Sequence, residues 1–135
     1  MSRFKTVHQC AEAIGASKEL LEATFRGALD LMCVAYGRSD DYPALAKKVR
    51  SALHSYPGFA PAGDESKAIT KILSGFGQIS SGMAEMRNSY GTGHGKPRHP
   101  GGLTVRHARL AVDLATAECR FIALSLRDLG LLTGD

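Results

Sequence analysis

The sequence predicts an all-α protein, a bundle of four to five helices, and three observations carry that reading. Apolar residues recur at three- and four-residue steps in four separate segments. Those segments are bounded by residues that start or stop helices, with Ser, Asp or Thr ahead of them and Gly or Pro behind. No stretch alternates apolar and polar residues for the length of a strand, and no hairpin turn separates two β-branched runs.

Taken in order, a short helix is expected around Thr6 to Ile14. Ser17 then serves as N-cap for "KELLEATFRGALDLMCVAYG", where Leu20, Leu21, Thr24, Ala28, Leu31, Met32 and Ala35 keep helical spacing until Gly37 stops the run. "SDDYPALAKKVRSALHSYPG" has acidic residues and Pro43 at its start, then Leu45, Val49, Ala52, Leu53 and Tyr56, and ends at Pro57-Gly58. That is a helix of about three turns. Beyond "PGFAPAGDES" comes the longest periodic segment, with Ile69, Ile72, Leu73, Phe76, Ile79, Met83, Met86 and Tyr90 on one stripe. After "GTGHGKPRHPGG", Thr104 is placed to cap a last helix reaching about Leu129, with Leu110, Leu114, Ala117, Phe121 and Leu124 as its apolar stripe. No internal repeat or low-complexity region interrupts this plan.

A chain of 135 residues has the size of one domain, read here as residues 1–135. Cys10, Cys33 and Cys119 are odd in number, far apart and without zinc spacing, so they read as core thiols of a reducing compartment. No apolar run reaches the ~18 residues needed to cross a bilayer, and "MSRFKTVHQC" lacks the apolar stretch of a signal peptide. A cytoplasmic protein without membrane contact is expected.

The formal charge of +4 is concentrated in one place. From Met86 to Val112 there is no Asp or Glu, while five of the 17 basic residues (Arg87, Lys96, Arg98, Arg106, Arg109) fall there, leaving 12 basic against 13 acidic residues elsewhere. His94, His99 and His107, three of the five histidines, share the window. A one-sign region on glycine-rich backbone suits a polyanion, and phosphate is the obvious candidate; the alternative is an exposed basic loop with no ligand.

Within that window "RNSYGTGH" sets Arg87 and His94 seven positions apart, with Gly91 and Gly93 placed to end the preceding helix. "YGTGHGKP" fails as a Walker A loop, because Tyr90 stands where the first glycine belongs and Pro97 follows Lys96. It also lacks the preceding strand that a Rossmann reading of Gly91, Gly93 and Gly95 requires. The three histidines could converge on a metal, but the window offers no Cys, Asp or Glu to join them, and neither metal nor cofactor is expected. Cleavage of RNA without a metal fits better. Histidine can serve as base or acid near neutrality, and arginine can hold two oxygens of a phosphorane. Asn88 adds a neutral group to orient the histidine or the scissile phosphate. One histidine cannot easily be both base and acid in one turnover, which makes a two-fold dimer attractive. The structural alternative is a bridge from Arg87 to Glu85 or Glu118, with His94 as a helix C-cap.

The run "ILSGFGQISSGMAEMRNSYGTGHGK", followed by "VRHARLAVDLATAECRFIALSL", resembles the C-terminal domain of bacterial abortive-infection proteins, a branch of the HEPN (higher eukaryote and prokaryote nucleotide-binding) superfamily. "KELLEATFRGALDLMCVAYG" and "DYPALAKKVRSAL" resemble the helices preceding the motif there, so the similarity covers most of the chain. The resemblance implies a HEPN-like helical bundle that pairs as a homodimer. It also implies an R-x(4-6)-H motif, matched by Arg87, Asn88 and His94, that serves metal-independent endoribonuclease activity in phage defence or as a toxin. Lys96, Arg98, His99, Arg106 and Arg109 would then be the RNA-binding residues. Many relatives keep the fold only to dimerise or to bind RNA or nucleotide, and a purely structural dimerisation domain is a third class. The family usually places this domain behind another one, so an antitoxin or an N-terminal partner domain is a candidate partner.

Overall fold

The computed structural model of the protein describes residues 7–59, 63–90 and 104–132, which form four α-helices and no strand. These are α1 (Val7–Leu31), α2 (Tyr42–Ser55), α3 (Asp64–Tyr90) and α4 (Val105–Asp128). The all-α expectation is met with four helices. None of them is long and apolar enough to cross a membrane.

The short first helix and the one expected after Ser17 are a single element of 25 residues. Ser17 is an interior residue, 6% exposed, and not a cap. The reason lies in the buried face: Cys10, Ile14, Ser17, Leu21, Phe25 and Ala28 follow one another at three- and four-residue steps. Burying that continuous stripe outweighs the ~1 kcal/mol that Gly15 costs in a helix interior. The same helix stops earlier than Gly37. Its last turn closes through Val34 N–H to the Leu29 carbonyl at 2.9 Å and Cys33 N–H to the Asp30 carbonyl at 3.1 Å, with Cys33 at φ 59°. This is a Schellman ending in which cysteine occupies the left-handed position usually given to glycine. Cys33 is therefore exposed and not a core thiol, whereas Cys10 is buried and Cys119 half-buried.

α2 starts as its sequence dictates. Asp41 Oδ1 accepts the Ala44 N–H at 3.0 Å, and proline sits in the first turn, where its missing N–H costs nothing. Just ahead of it, Asp40 accepts the Gly37 N–H at 2.9 Å and pairs with Lys48 at 2.6 Å, and both contacts hold its carboxyl below its ordinary range. α2 runs antiparallel to α3, since Tyr42 lies beside Ser80 and Arg50 beside Gly77.

α4 packs chiefly against α1, and α3 meets α4 only slightly. The face that α4 buries is Ala108, Ala111, Ala115, Glu118, Ile122 and Leu126, not the leucine stripe expected from spacing. Leu110 is 51% and Leu124 42% exposed, and Ala117 also lies at the surface. The helix carries two apolar stripes, and the alanine one lets α1 approach more closely. On α3, Leu73 and Met83 are buried as expected, but Ile72 is 56% exposed. Phe121 joins the loosely packed pair through edge contacts with Phe76 of α3 and Phe59 of the α2–α3 connection, at 5.7 and 6.2 Å between ring centres.

Candidate functional site

Arg87 and Asn88 lie in the final turn of α3, which continues to Tyr90 as the periodicity predicts. Arg87 falls seven residues after Ser80 and four after Met83, so its backbone position shares the register of the helix's buried face. His94, Lys96, Arg98 and His99 lie outside the described residues, as do the side chains of Arg87 and Asn88. α4 resumes at the other end of this segment. Arg106 and Arg109 occupy its first two turns, both exposed, and neither forms an ion pair among the described residues.

The start of α4 favours anions by construction. Its first turn contains no acidic residue, so the positive end of the helix dipole is uncompensated. His107 has a defined local duty there: its Nδ1 accepts the Thr104 N–H at 3.0 Å while the Thr104 carbonyl accepts the His107 N–H at 3.0 Å. One ring nitrogen of His107 is thereby committed to the helix start, which weighs against its share in a three-histidine metal site. Among the described residues no group of three metal-binding side chains comes together.

Below this end of the bundle lies a polar cluster that spacing did not reveal. Glu118 of α4, Tyr42 of α2 and Ser80 of α3 are all buried, and Glu118 Oε1, the Tyr42 hydroxyl and the Ser80 hydroxyl each lack a well-formed hydrogen bond among the described residues. Burial raises the Glu118 carboxyl to about 7, with the Arg50 charge pulling the other way. Burial likewise pushes the Tyr42 hydroxyl well above its ordinary value; the adjacent Ser80 hydroxyl opposes this, and the Glu118 charge adds to it. Next to the cluster the Thr24 hydroxyl donates to Cys119 Sγ at 3.2 Å, and burial raises that thiol. Glu118, one of the two acids considered as a structural partner for Arg87, is thus set among Tyr42, Ser80 and Arg50. The signal for it was a glutamate in step with Ala111, Ala115 and Ile122, which the neighbouring leucine stripe obscured.

Four helices with a long third one, ending in an arginine–asparagine pair ahead of a basic segment, define a HEPN-like helical domain. The chain belongs to the abortive-infection C-terminal family, Abi_C, described as a HEPN-like domain, whose model matches residues 4–125. No curated protein matches the chain, and no solved structure does.

Proposed function

We propose that the protein is a metal-independent endoribonuclease of HEPN type, acting as a homodimer in the cytoplasm in abortive infection or as a toxin. The observation that carries this reading is the position of Arg87 and Asn88. They end the long helix of a HEPN-like domain, immediately before the segment that contains His94. Arg87 would hold the two non-bridging oxygens as the phosphorane gains charge, and the guanidinium fork suits that task. His94 would take the proton of the attacking 2′-hydroxyl, and the partner subunit's copy would protonate the leaving 5′-oxygen. Asn88 orients one or the other. Lys96, Arg98, His99, Arg106 and Arg109 supply the phosphate contacts along the acid-free window. The exposed Leu110 and Leu124 of α4 and Ile72 of α3 offer apolar surface that pairing of two subunits can cover.

The test is incubation of purified protein with total RNA in EDTA. Wild type should cut, leaving 2′,3′-cyclic phosphate and 5′-hydroxyl ends, while His94→Ala should lose on the order of 10² to 10⁴ in rate with fold and RNA affinity retained. Arg87→Lys should rescue little, since an ammonium keeps the charge and loses the fork. Full activity in His94→Ala, or activity that needs added metal, refutes the mechanism and leaves a non-catalytic module that dimerises and binds RNA or nucleotide.

A further inference from the structure

Nearer the other end of α3, a groove of about 560 Å³ separates α2 from α3. Arg50 and His54, one turn apart on α2, face Thr70, Ser74, Gly77 and Gln78 of α3 across it. None of the residues lining it is acidic, and all but Leu73 and Gly77 carry a polar side chain. That is an unusual composition for a seam between two packed helices, where apolar contact is the norm.

Arg50 is the centre of the groove. Its guanidinium lies against the α3 backbone at Gly77, where a Cβ would come within 3.1 Å of Cζ and 3.2 Å of both terminal nitrogens. Glycine at 77 therefore gives the guanidinium its close seat, and a Cβ there would press it outward by a few tenths of an ångström. The side chain is half-buried, yet it makes no hydrogen bond or ion pair among the described residues. The acid that feels its charge is Glu118, buried behind it on α4, but no bridge forms between them. The Arg50 guanidinium thus turns donors without a protein partner toward an open groove, where an acceptor can reach them.

Three of the four hydroxyls around it are already engaged. Thr70 donates to the Ser66 carbonyl at 2.9 Å, Ser74 to the Thr70 carbonyl at 3.1 Å and Ser55 to the Ser51 carbonyl at 3.0 Å. Arg50, the Ser51 hydroxyl, the His54 ring and the Gln78 amide remain as uncommitted donors in one groove, a set that can meet a ligand with several oxygens on one centre. A carboxylate would satisfy the fork alone, whereas a tetrahedral phosphate has further oxygens for the flanking donors.

We propose that this groove is a phosphate-binding subsite, with Arg50 gripping two phosphate oxygens from its cradle on Gly77 and with His54 and Gln78 holding the group from either side. The inference goes beyond the reading of the Arg87 motif and does not depend on it. Gly77 precedes Arg87 by ten residues on the same helix, an axial separation of about 15 Å. The phosphate can therefore belong to an RNA chain that also reaches the motif, or to a free anion bound on its own.

Two probes separate those sources: inorganic phosphate followed by NMR titration of the full chain, and a 2′-O-methylated single-stranded oligonucleotide, which cannot be cut, followed by fluorescence anisotropy across a salt series. The key variants are Arg50→Gln and Gly77→Ala. The second keeps every charge, is favoured by helix propensity and only crowds the seat of the guanidinium. Arg50→Gln should weaken binding roughly ten- to a hundredfold, as expected for the loss of a charge-assisted contact, Gly77→Ala should weaken it less, and Arg50→Lys should not restore it. Weaker phosphate binding in both variants, more so in Arg50→Gln, supports the subsite with a free anion as ligand. A drop of about 0.7 in the oligonucleotide's salt slope, with no response to phosphate, supports it with RNA as ligand. Binding of both probes unchanged in Arg50→Gln and Gly77→Ala overturns the proposal. So does phosphate binding that is lost in Arg87→Ala and kept in Arg50→Gln, because the anion then belongs to the motif.

Discussion

Glu118→Gln should change how the stability of this protein depends on pH, and the size of the change follows from where the carboxyl sits. Glu118 is 2% exposed, its Oε1 has no partner among the described residues, and burial raises it from 4.5 to about 7. Between those two values the folded protein holds a proton that the unfolded chain has released, so stability falls as pH rises. The contribution is fully present below 4.5 and lost once pH passes about 7. At ~1.4 kcal/mol per tenfold, that interval is worth about 3 kcal/mol, a large part of the ~5–15 kcal/mol that holds an ordinary domain together. Glutamine has the same shape and cannot ionise. The variant should match wild type near roughly pH 4 and exceed it by about 3 kcal/mol near roughly pH 8.5. Urea unfolding followed by far-UV circular dichroism at both pH values measures this. The difference between the two proteins cancels the titration of Asp40, whose shift has the opposite sign and acts below its ordinary 3.8. A difference that stays constant from acid to alkali would refute the reasoning, since it would mean that Glu118 ionises alike in both states.

Cys33→Gly should stabilise the protein by about 0.5–1 kcal/mol, because cysteine holds a left-handed conformation at the end of α1 that glycine adopts without strain. Gly130 closes α4 through the same pattern, with Leu131 N–H to the Leu126 carbonyl at 2.8 Å, so Gly130→Ala should cost about 1 kcal/mol in the same thermal-melt series. Asp41→Ala should lower stability by about 1 kcal/mol through loss of the α2 cap, and a melt unchanged from wild type would deny the cap that role. Neutralising Lys96 and Arg98 together should weaken RNA binding and flatten its salt dependence; an unchanged slope removes both from the footprint.

What could be read beforehand was whatever is written locally. The start of α2 at Asp41 and Pro43, the start of α4 at Thr104 and the extension of α3 through Arg87 each rest on residues within a turn of the event. Ser17 misled because a good capping residue and a tolerated interior residue look alike until a neighbouring helix decides between them. α4 misled for a related reason: leucines signal burial more strongly than alanines, yet α1 took the alanine side because close approach rewards small side chains. The Arg50–Gly77 contact has no local signature, as it is made only when α2 is laid against α3. The Arg87–Asn88 pair was legible as a motif from its residue types, and the helix places it where spacing expected; the setting of Glu118 emerged only from three helices meeting.

The alanine seam between α1 and α4 also bears on how such a sequence can drift. At Ala108, Ala111 and Ala115 a larger side chain would have to push packed helices apart, at a typical cost of about 1–3 kcal/mol, so variation there is constrained. Across the same helix Leu110 and Leu124 stay about half exposed, and the domain itself limits them less. One helix therefore holds a constrained side and a more permissive side roughly 150° apart, and change that alters what the protein meets can accumulate on the second while the first keeps the architecture constant.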